Sequence, residues 1–242
     1  MHPVTPNSRT HWTLLAIGVI GSVAFTTTYL VEGALRPGYD WLRQPISALS
    51  LGPGGTLQSV SFVLFGVSGC LAAPAWRATL AGGRGHLWYP RLKVLAGLAL
   101  IAAGLFDQDA GQGYPVGSDQ PAHPSLHATV HNLASVVSLV TIVAQLVILG
   151  QRFAREPRWR AWAPAAFTVA VLMMASLAAF GALTALHGPG GIFEKLAGSI
   201  PAALGIAVTA RLVARRDARI GASAPAGASA PRPRARSVGS LG

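Results

Sequence analysis

Charged side chains are scarce in this sequence. Asp, Glu, Lys and Arg make up 11% of its 242 residues, whereas a soluble globular domain carries about a quarter. Hydrophobic residues make up 51%, the mean hydropathy is +0.46, and the apolar residues fall in long blocks instead of short amphipathic stripes. This pattern excludes an ordinary soluble domain and indicates an integral membrane protein.

Cysteine is also nearly absent. The single cysteine, Cys70, lies inside an apolar block, which excludes a disulfide or a cysteine-ligated metal site within one chain. Acidic residues number eight against nineteen Lys and Arg, so the formal net charge is +11. Because the basic residues lie between and after the apolar blocks, not on one face with interleaved aromatics, nucleic acid is not an expected partner.

Six apolar blocks are long enough to cross a bilayer, which takes about 20 mostly apolar residues. The first block is too long for the apolar region of a secretory signal and has no clear cleavage site, so we interpret it as a retained span. The sequence therefore predicts an all-α polytopic bundle of six transmembrane helices. The predicted spans are Trp12–Val31, Leu57–Trp76, Trp88–Phe106, Leu126–Gly150, Ala161–Leu186 and Ile192–Val213.

The aromatic and basic residues predict the polarity of this bundle. All six Trp and all four Tyr lie at block ends or in connections, where amphipathic rings meet lipid headgroups. Of the nineteen Lys and Arg, sixteen fall on one side of the predicted topology and three on the other. Because basic residues favour the cytoplasmic side, we expect both termini in the cytoplasm. The abundance of Ala, Gly, Pro and Arg is typical of GC-rich bacterial genomes, so the expected location is a bacterial plasma membrane.

Residues 214–242, after the last predicted span, are rich in Arg, Ala, Pro, Gly and Ser. Such a segment cannot bury a hydrophobic core, so we expect a disordered cytoplasmic tail. Its positive charge favours contact with anionic membrane lipids. A regulatory protein partner is the alternative.

Acidic residues and histidines show the opposite asymmetry from the basic residues. Carboxylates with imidazoles suit a divalent metal site or acid–base chemistry, although outer loops are also simply polar. The residues that map to the outer side are Glu32, Asp40, Asp107, Asp109, Asp119, Glu194, His123, His127, His131 and His187. We therefore expect any chemistry at the outer face.

Two histidines, His127 and His131, lie four residues apart at the start of the fourth predicted span. Pro124 suits the first helical position, so a helix that begins there places both imidazoles on one face. His131 would then lie inside the apolar block, where an ionisable residue is costly and usually functional. The pair could ligate one metal ion, or His131 could be a buried histidine that is hydrogen-bonded to a neighbouring helix.

Further acids lie at the ends of predicted helices. Asp107 and Asp109 end the third span, where they could face either the fourth helix or water. Glu194 begins the sixth span, where its charge favourably opposes the helix dipole. That is a sufficient structural reason for Glu194, which is also a candidate for binding a substrate.

The connection between the first two spans is long for a compact bundle, and such loops are often functional. Residues 39–50 within it predict a short interfacial helix that could cap the outer mouth. Arg36 and Arg43 lie in the same connection, on the side with few basic residues. They could pair with an acidic neighbour, Glu32 or Asp40, or bind a lipid phosphate by bidentate contacts. Both arginines are therefore candidate substrate-binding residues.

Four short motifs occur in order along the chain. They are Arg36-Pro-Gly-Tyr39-Asp40 with Gln44-Pro-Ile-Ser47-Ala-Leu, Phe106 followed by Asp109, His131-Asn132-Leu, and Gly191-Ile-Phe-Glu194-Lys195. With these motifs, the chain from Trp12 to Val213 resembles an uncharacterised family of prokaryotic integral membrane proteins, the domain of unknown function numbered 998. Where that family is expected to have Phe-Pro-Thr-Asp-Pro, this chain has Phe-Asp-Gln-Asp-Ala at 106–110. Which Asp takes the family position therefore stays open, and the family implies no established activity.

A more remote resemblance supplies the first functional hypothesis. Ser47, Asp109 and the two histidines are similar to the residues of the CREST superfamily, seven-helix membrane hydrolases of the alkaline ceramidase type, which use three His, an Asp and a Ser around zinc. By this analogy the chain would be a metal-dependent hydrolase of a lipid-like substrate. His127, His131 and Asp109 would bind zinc and lower the pKa of a bound water. Ser47 or Asp107 would orient that water.

The second hypothesis is a non-catalytic bundle that binds or handles a lipid or small amphipathic molecule at its extracytoplasmic face. In this hypothesis the polar side chains are hydrogen-bonding groups between helices, and the long loop is a lid. We favour it because small membrane proteins seldom carry a complete catalytic set. A channel or secondary transporter is disfavoured, since no inverted repeat is evident and no predicted span carries a charge near its middle.

Overall fold

The computed structural model describes residues 4–6 and 8–223, with side chains as far as residue 216, and this part of the chain is helical. Six long helices follow in order: α1 (Arg9–Leu35), α2 (Gly55–Thr79), α3 (Trp88–Leu105), α4 (Leu126–Arg155), α5 (Ala163–Ala185) and α6 (Gly191–Ser223). Short 3-10 helices, Ile46–Ser50 and Arg160–Trp162, lie in the connections. All six long helices are long and apolar enough to cross a membrane, which confirms the predicted fold class.

Consecutive helices pack against each other, and α6 also packs back onto α1. The connections alternate between the two ends of the bundle. We call the end that carries residues 36–54, between α1 and α2, the loop end. The opposite end is the basic end, where α1 begins and where α4 ends with Arg152 and Arg155.

Most helix boundaries lie a few residues from the predicted spans, and two of the differences have local reasons. Helix α1 begins at Arg9 instead of Trp12, because the Ser8 hydroxyl accepts a hydrogen bond from the His11 N–H at 3.1 Å and caps the helix. Helix α6 continues to Ser223, so the first part of the segment predicted to be disordered is helical. Ala and Arg, which are strong helix formers, dominate residues 214–219. The remainder of the predicted tail, residues 224–242, lies outside the described residues.

Small residues allow the helices to approach closely. Gly21 of α1 faces Ser68 of α2, and Gly66 of α2 faces the backbone carbonyl of Gly97 in α3. A Cβ atom at Gly66 would overlap the Gly97 carbonyl oxygen. The contact between α2 and α3 therefore requires glycine, as in other lipid-embedded bundles where backbone packing drives helix association.

The aromatic rings differ from the predicted headgroup belt. The tyrosines Tyr29, Tyr39, Tyr89 and Tyr114 are all buried, and so are Trp76 and Trp159. Only Trp88, which is 63% exposed, fits the belt clearly. The tyrosines are thus enclosed by the protein, and two of them have hydrogen-bond partners there: the Tyr29 hydroxyl is hydrogen-bonded to the Ser199 hydroxyl, and the Tyr39 hydroxyl donates to the Gln44 carbonyl.

The predicted interfacial helix over residues 39–50 is also different in the structure. Residues 41–44 form a turn, and a 3-10 helix follows over Ile46–Ser50 with all five residues buried. Pro45 explains the interruption, since it lacks an N–H and disfavours helical backbone in the residue before it. The segment is thus part of the core at the loop end, where Ile46, Ala48 and Leu49 pack with Phe25 and Phe62.

Candidate functional site

Helix α6 begins against the loop that connects α1 and α2. The first N–H groups of any helix have no partner within it. In α6 the loop supplies two such partners: Gly191 donates to the Arg43 carbonyl at 3.1 Å, and Ile192 donates to the Leu42 carbonyl at 3.0 Å. In the other direction, Glu194 Oε2 accepts a hydrogen bond from the Ile46 N–H at 2.5 Å. The start of α6 therefore donates hydrogen bonds to the loop, and the Glu194 side chain of α6 accepts one from it.

Lys195 strengthens the same junction. Its Nζ donates to the Gln44 carbonyl at 2.8 Å and to the Gly191 carbonyl at 3.3 Å. It also lies 4.9 Å from the centre of the Trp41 ring and 5.2 Å from that of Tyr39. Only 3% of Lys195 is exposed, so this cation is fixed inside the protein by carbonyls and aromatic faces. We call Glu194, Lys195 and their loop partners the α6 junction.

Tyr39 completes the junction as a hydrogen-bond donor. Its hydroxyl donates to the carbonyls of Gln44 at 3.1 Å and Pro45 at 3.0 Å. Burial, reinforced by the nearby Glu194 charge, raises the pKa of Tyr39 well above its usual value. The phenol therefore stays protonated, and it supports the turn before the 3-10 helix.

The two arginines predicted to bind a substrate both contact the chain itself. Arg36 pairs with Glu32 at 2.6 Å and donates to the Pro53 carbonyl at 2.8 Å. This is the pairing that the sequence offered as one alternative. Arg43 donates to the backbone carbonyl of His187. Both guanidinium groups thus hold the loop end together, and Arg43 is also exposed there.

The two candidate catalytic residues, Ser47 and Asp107, are hydrogen-bonded to different side chains. The buried Ser47 hydroxyl donates to Gln108 Oε1 at 2.6 Å. The exposed Asp107 accepts a hydrogen bond from the Ser59 hydroxyl at 3.1 Å. Neither residue is hydrogen-bonded to a candidate metal ligand.

Asp109 and Ser125 together start helix α4. Asp109 Oδ2 accepts the Ser125 N–H at 2.7 Å, and the Ser125 hydroxyl accepts the Ala128 N–H at 3.1 Å. These hydrogen bonds lower the pKa of Asp109 below its usual value. They also place the start of α4 at Leu126 rather than at Pro124, where the sequence predicted it, because Ser125 is the N-cap.

His131 lies at the end of helix α3. It is 2% exposed, and its Nδ1–H donates to the carbonyls of Ala103 and Phe106, each at 2.8 Å. Carbonyls in the last turn of a helix lack partners within it, so His131 caps α3 from α4. This is the buried, interhelical histidine that the sequence left as the alternative to a metal ligand.

His127 is exposed and contacts the Phe106 ring, with ring centres 5.2 Å apart. Among residues 4–6 and 8–223, no group of three or more His, Cys, Asp or Glu side chains is placed to hold a metal ion. The predicted ligands His127, His131 and Asp109 therefore do not form such a group among the described residues. Zinc stays a prediction.

A cavity of about 210 Å³ lies between α1, α2, α3, α4 and α6. Most of its wall is apolar, with Glu194 near the loop end and Lys93 near the basic end. Ile46 of the loop closes it beside Glu194. We call this space the central cavity.

Helix α4 presents one face to the central cavity, and sequence reasoning missed it. The lining residues of this face are Ser135, Ser138, Ile142, Gln145 and Leu149. Their alternating spacing of three and four residues is the period of one helix face, so polar residues at that period in an apolar block were the available signal. The Ser138 hydroxyl is buried with no hydrogen-bond partner among the described residues.

Comparison with known proteins agrees with the sequence motifs. The family described as "Protein of unknown function (DUF998)" matches residues 19–211. No curated protein and no solved structure matches the chain significantly. The family match covers helices α2 to α5 completely and most of α1 and α6, and it includes the α6 junction and the residues that line the central cavity except Leu15 and Gly18. The chain therefore belongs to the DUF998 family and is a membrane protein with six apolar helices.

Proposed function

We propose that this protein binds a single-chain, lipid-like amphipathic molecule in the central cavity, without catalysing its conversion. The observation that supports this proposal most strongly is the shape and lining of that cavity. Along α6 its lining residues run from Glu194 to Thr209, which corresponds to about 22 Å at the helical rise per residue. A long, mostly apolar space suits an extended hydrocarbon chain better than a compact polar solute.

Glu194 is the proposed recognition group for the polar end of the ligand. One of its carboxylate oxygens accepts the Ile46 N–H, and the side chain also borders the central cavity. An ionised carboxylate accepts several hydrogen bonds, so a hydroxyl or ammonium group of a ligand can share it with Ile46. We therefore expect a head group that donates hydrogen bonds.

The α6 junction supports a lid at the same end. Ile46 lines the central cavity, and its N–H is bonded to Glu194. Movement of this part of the loop away from α6 would break that bond and open the cavity beside the head-group position. The basic residue asymmetry of the sequence favours the extracytoplasmic face for the loop end, so we propose that the ligand's polar group lies on that face.

The metal-dependent hydrolase gains no comparable support. No group of three or more His, Cys, Asp or Glu side chains among the described residues is placed to hold a metal ion. Binding therefore remains the better proposal, and metal analysis can overturn that preference.

Two glycines offer a matched test of binding. Gly205 lines the central cavity, whereas Gly181 lies on the exposed surface of α5, and at both positions an added Cβ meets no atom within 4 Å. Gly205→Leu should fill the cavity, while Gly181→Leu adds the same side chain towards lipid. Because overpacking costs roughly 1–3 kcal/mol, we expect Gly205→Leu to weaken binding about tenfold and Gly181→Leu to leave it unchanged.

The measurement is equilibrium binding of radiolabelled hexadecanol, hexadecylamine and palmitate to the purified full chain in detergent. These probes share one chain length and differ in the head group. Equal affinities of the two glycine variants for every probe would exclude the central cavity as the binding site. A preference for palmitate over the other two would contradict the role given to Glu194.

A further inference from the structure

A second cavity, of about 490 Å³, lies at the basic end of the bundle. It is separate from the loop end, where the proposed head-group position lies. Its wall combines aromatic rings with four arginines, and the arginines are Arg152, Arg158, Arg215 and Arg216. Guanidinium groups match phosphate oxygens in charge and geometry, so this composition is typical of a phosphate-binding site.

The carboxylates among the described lining residues do not balance the positive charge of the lining arginines. Glu156 is the one carboxylate in the lining formed by the described residues, and it pairs with Arg152 at 3.2 Å. Two further lining arginines, Arg158 and Arg216, form no ion pair with a carboxylate of the described residues, so they leave an excess of positive charge. An anion that enters the cavity would therefore meet several guanidinium groups and a single carboxylate that already has a partner.

The arginines are positioned by ring stacking. The Arg216 guanidinium carbon lies 5.2 Å from the centre of the Trp12 ring, and that of Arg215 lies 5.1 Å from the Trp159 ring. Stacking on a ring face fixes a guanidinium without using its N–H donors. The donors of Arg216 are therefore left in the plane of the group, where a phosphate oxygen can accept them.

Trp12 supplies an independent indication of a missing acceptor. Its ring lines the cavity, and its Nε1–H is buried without a hydrogen-bond partner among the described residues. An indole N–H is a donor only, and leaving a buried donor unsatisfied is costly. A ligand with acceptor oxygens would satisfy it.

We infer that the cavity at the basic end binds a phosphate group, from either an anionic phospholipid or a soluble phosphate. The cavity lies where α1 begins and where α2 and α4 end, the level at which lipid headgroups meet a spanning bundle. Apolar side chains, Phe153, Val208 and Leu212, form part of the same wall. Both features match a phospholipid headgroup with the start of its chains.

The test compares Arg158→Gln/Arg216→Gln with Arg91→Gln. Arg91 is a matched control because it too is stacked on a tryptophan, Trp88 at 5.4 Å, but does not line the cavity. The full chain is purified and reconstituted in nanodiscs of phosphatidylglycerol mixed equally with phosphatidylcholine, and lipid retained after release into detergent is counted by native mass spectrometry. We expect at least fivefold less phosphatidylglycerol on the double variant and no change for Arg91→Gln.

A second arm identifies the phosphate source. Inorganic phosphate is titrated into lipid-free protein in detergent, against chloride at equal ionic strength, while the thermal midpoint is measured. If phosphate raises the thermal midpoint of the wild type but not that of the double variant, the ligand is a soluble phosphate. If phosphate has no such effect and the wild type selectively retains phosphatidylglycerol, the ligand is a lipid. Trp12→Phe keeps an aromatic face but removes the indole Nε1–H, and it should weaken whichever binding is seen by about twofold to fivefold.

Three results would overturn the inference. One is that neither phosphatidylglycerol nor phosphate binds the wild type. Another is that Arg91→Gln loses as much anion as the double variant, because general surface charge would then explain the binding. The third is that the double variant, with wild-type helix content and a single gel-filtration peak, binds both anions normally.

Discussion

The carboxylate of Glu194 and the backbone N–H of Ile46 meet at 2.5 Å although 148 positions separate the two residues in sequence. This hydrogen bond fastens the long loop to the start of α6. Because both residues also line the central cavity, the same contact controls one end of the space in which we propose that a ligand binds.

Two substitutions of Glu194 should separate its role as a hydrogen-bond acceptor for the Ile46 N–H from the effect of its negative charge. Glu194→Gln keeps an oxygen that can accept the Ile46 N–H, whereas Glu194→Ala leaves that N–H unpaired. We expect Glu194→Ala to lower the free energy of unfolding by about 1–3 kcal/mol and Glu194→Gln to lower it by less. Hydrogen exchange of the Ile46 amide is the local readout. Slow exchange in Glu194→Ala, as in the wild type, would show that the bond does not hold the loop.

His131 should stabilise the bundle without a metal. His131→Ala leaves the Ala103 and Phe106 carbonyls without their donor, so we expect a loss of about 1–3 kcal/mol in unfolding free energy. Chelator treatment of the wild type should leave its thermal midpoint unchanged. If purified wild type instead contains one zinc per chain and His131→Ala has lost it, the hydrolase hypothesis becomes the better one.

Asp109 should make the protein sensitive to acid. Hydrogen bonds from Ser125 depress the pKa of Asp109 in the folded state below its usual 3.8. The stabilisation is therefore fully present above the unfolded-state pKa and is lost as the pH falls through the lower, folded-state value. Asp109→Asn cannot titrate, so its thermal midpoint should fall less than that of the wild type between pH 6 and acid pH. Parallel midpoint curves for the two proteins would contradict this role.

The orientation that we predict for the bundle rests on sixteen basic residues on one side against three on the other. A fluorescent protein fused after Gly242 should fluoresce in bacteria, and alkaline phosphatase fused at the same position should be inactive. Phosphatase inserted after Gly117, in the loop between α3 and α4, should be active. The reverse pattern would place the loop end in the cytoplasm and move the proposed head-group position to that side.

The sequence predicted the helices better than the site. Hydropathy identified six spans, and the depth of His131 left two alternatives, a metal ligand or a buried histidine that is hydrogen-bonded to a neighbouring helix. Its partners were not predictable, because the Ala103 and Phe106 carbonyls become orphan acceptors only when α3 ends beside α4. The Glu194–Ile46 bond depends likewise on tertiary structure. Ser135, Ser138 and Gln145 could have been identified from the sequence, because their spacing places them on one face of the fourth helix. A search for clusters of charged residues does not find them, since they are uncharged.

The tyrosines and the loop show why some local patterns misled. Rings at block ends predict headgroup contact, yet Tyr39 and Tyr89 are buried, Tyr39 in the loop after α1 and Tyr89 in the first turn of α3 against Trp76. Residues 39–50 have the composition of an interfacial helix. Pro45 interrupts it, and the apolar side chains of Ile46 and Leu49 enter the core instead of lying on the membrane surface.

The most direct test of ligand binding in the central cavity is photolabelling of the wild-type chain. A hexadecylamine with a diazirine near the end of its chain is added to the protein in nanodiscs, irradiated, and its adducts are mapped by peptide mass spectrometry. We predict adducts on cavity-lining residues such as Ser138, Ile142 and Leu204, suppressed by unlabelled hexadecanol. Adducts confined to lipid-facing residues such as Val171 and Met174, with no competition, would contradict the proposed function.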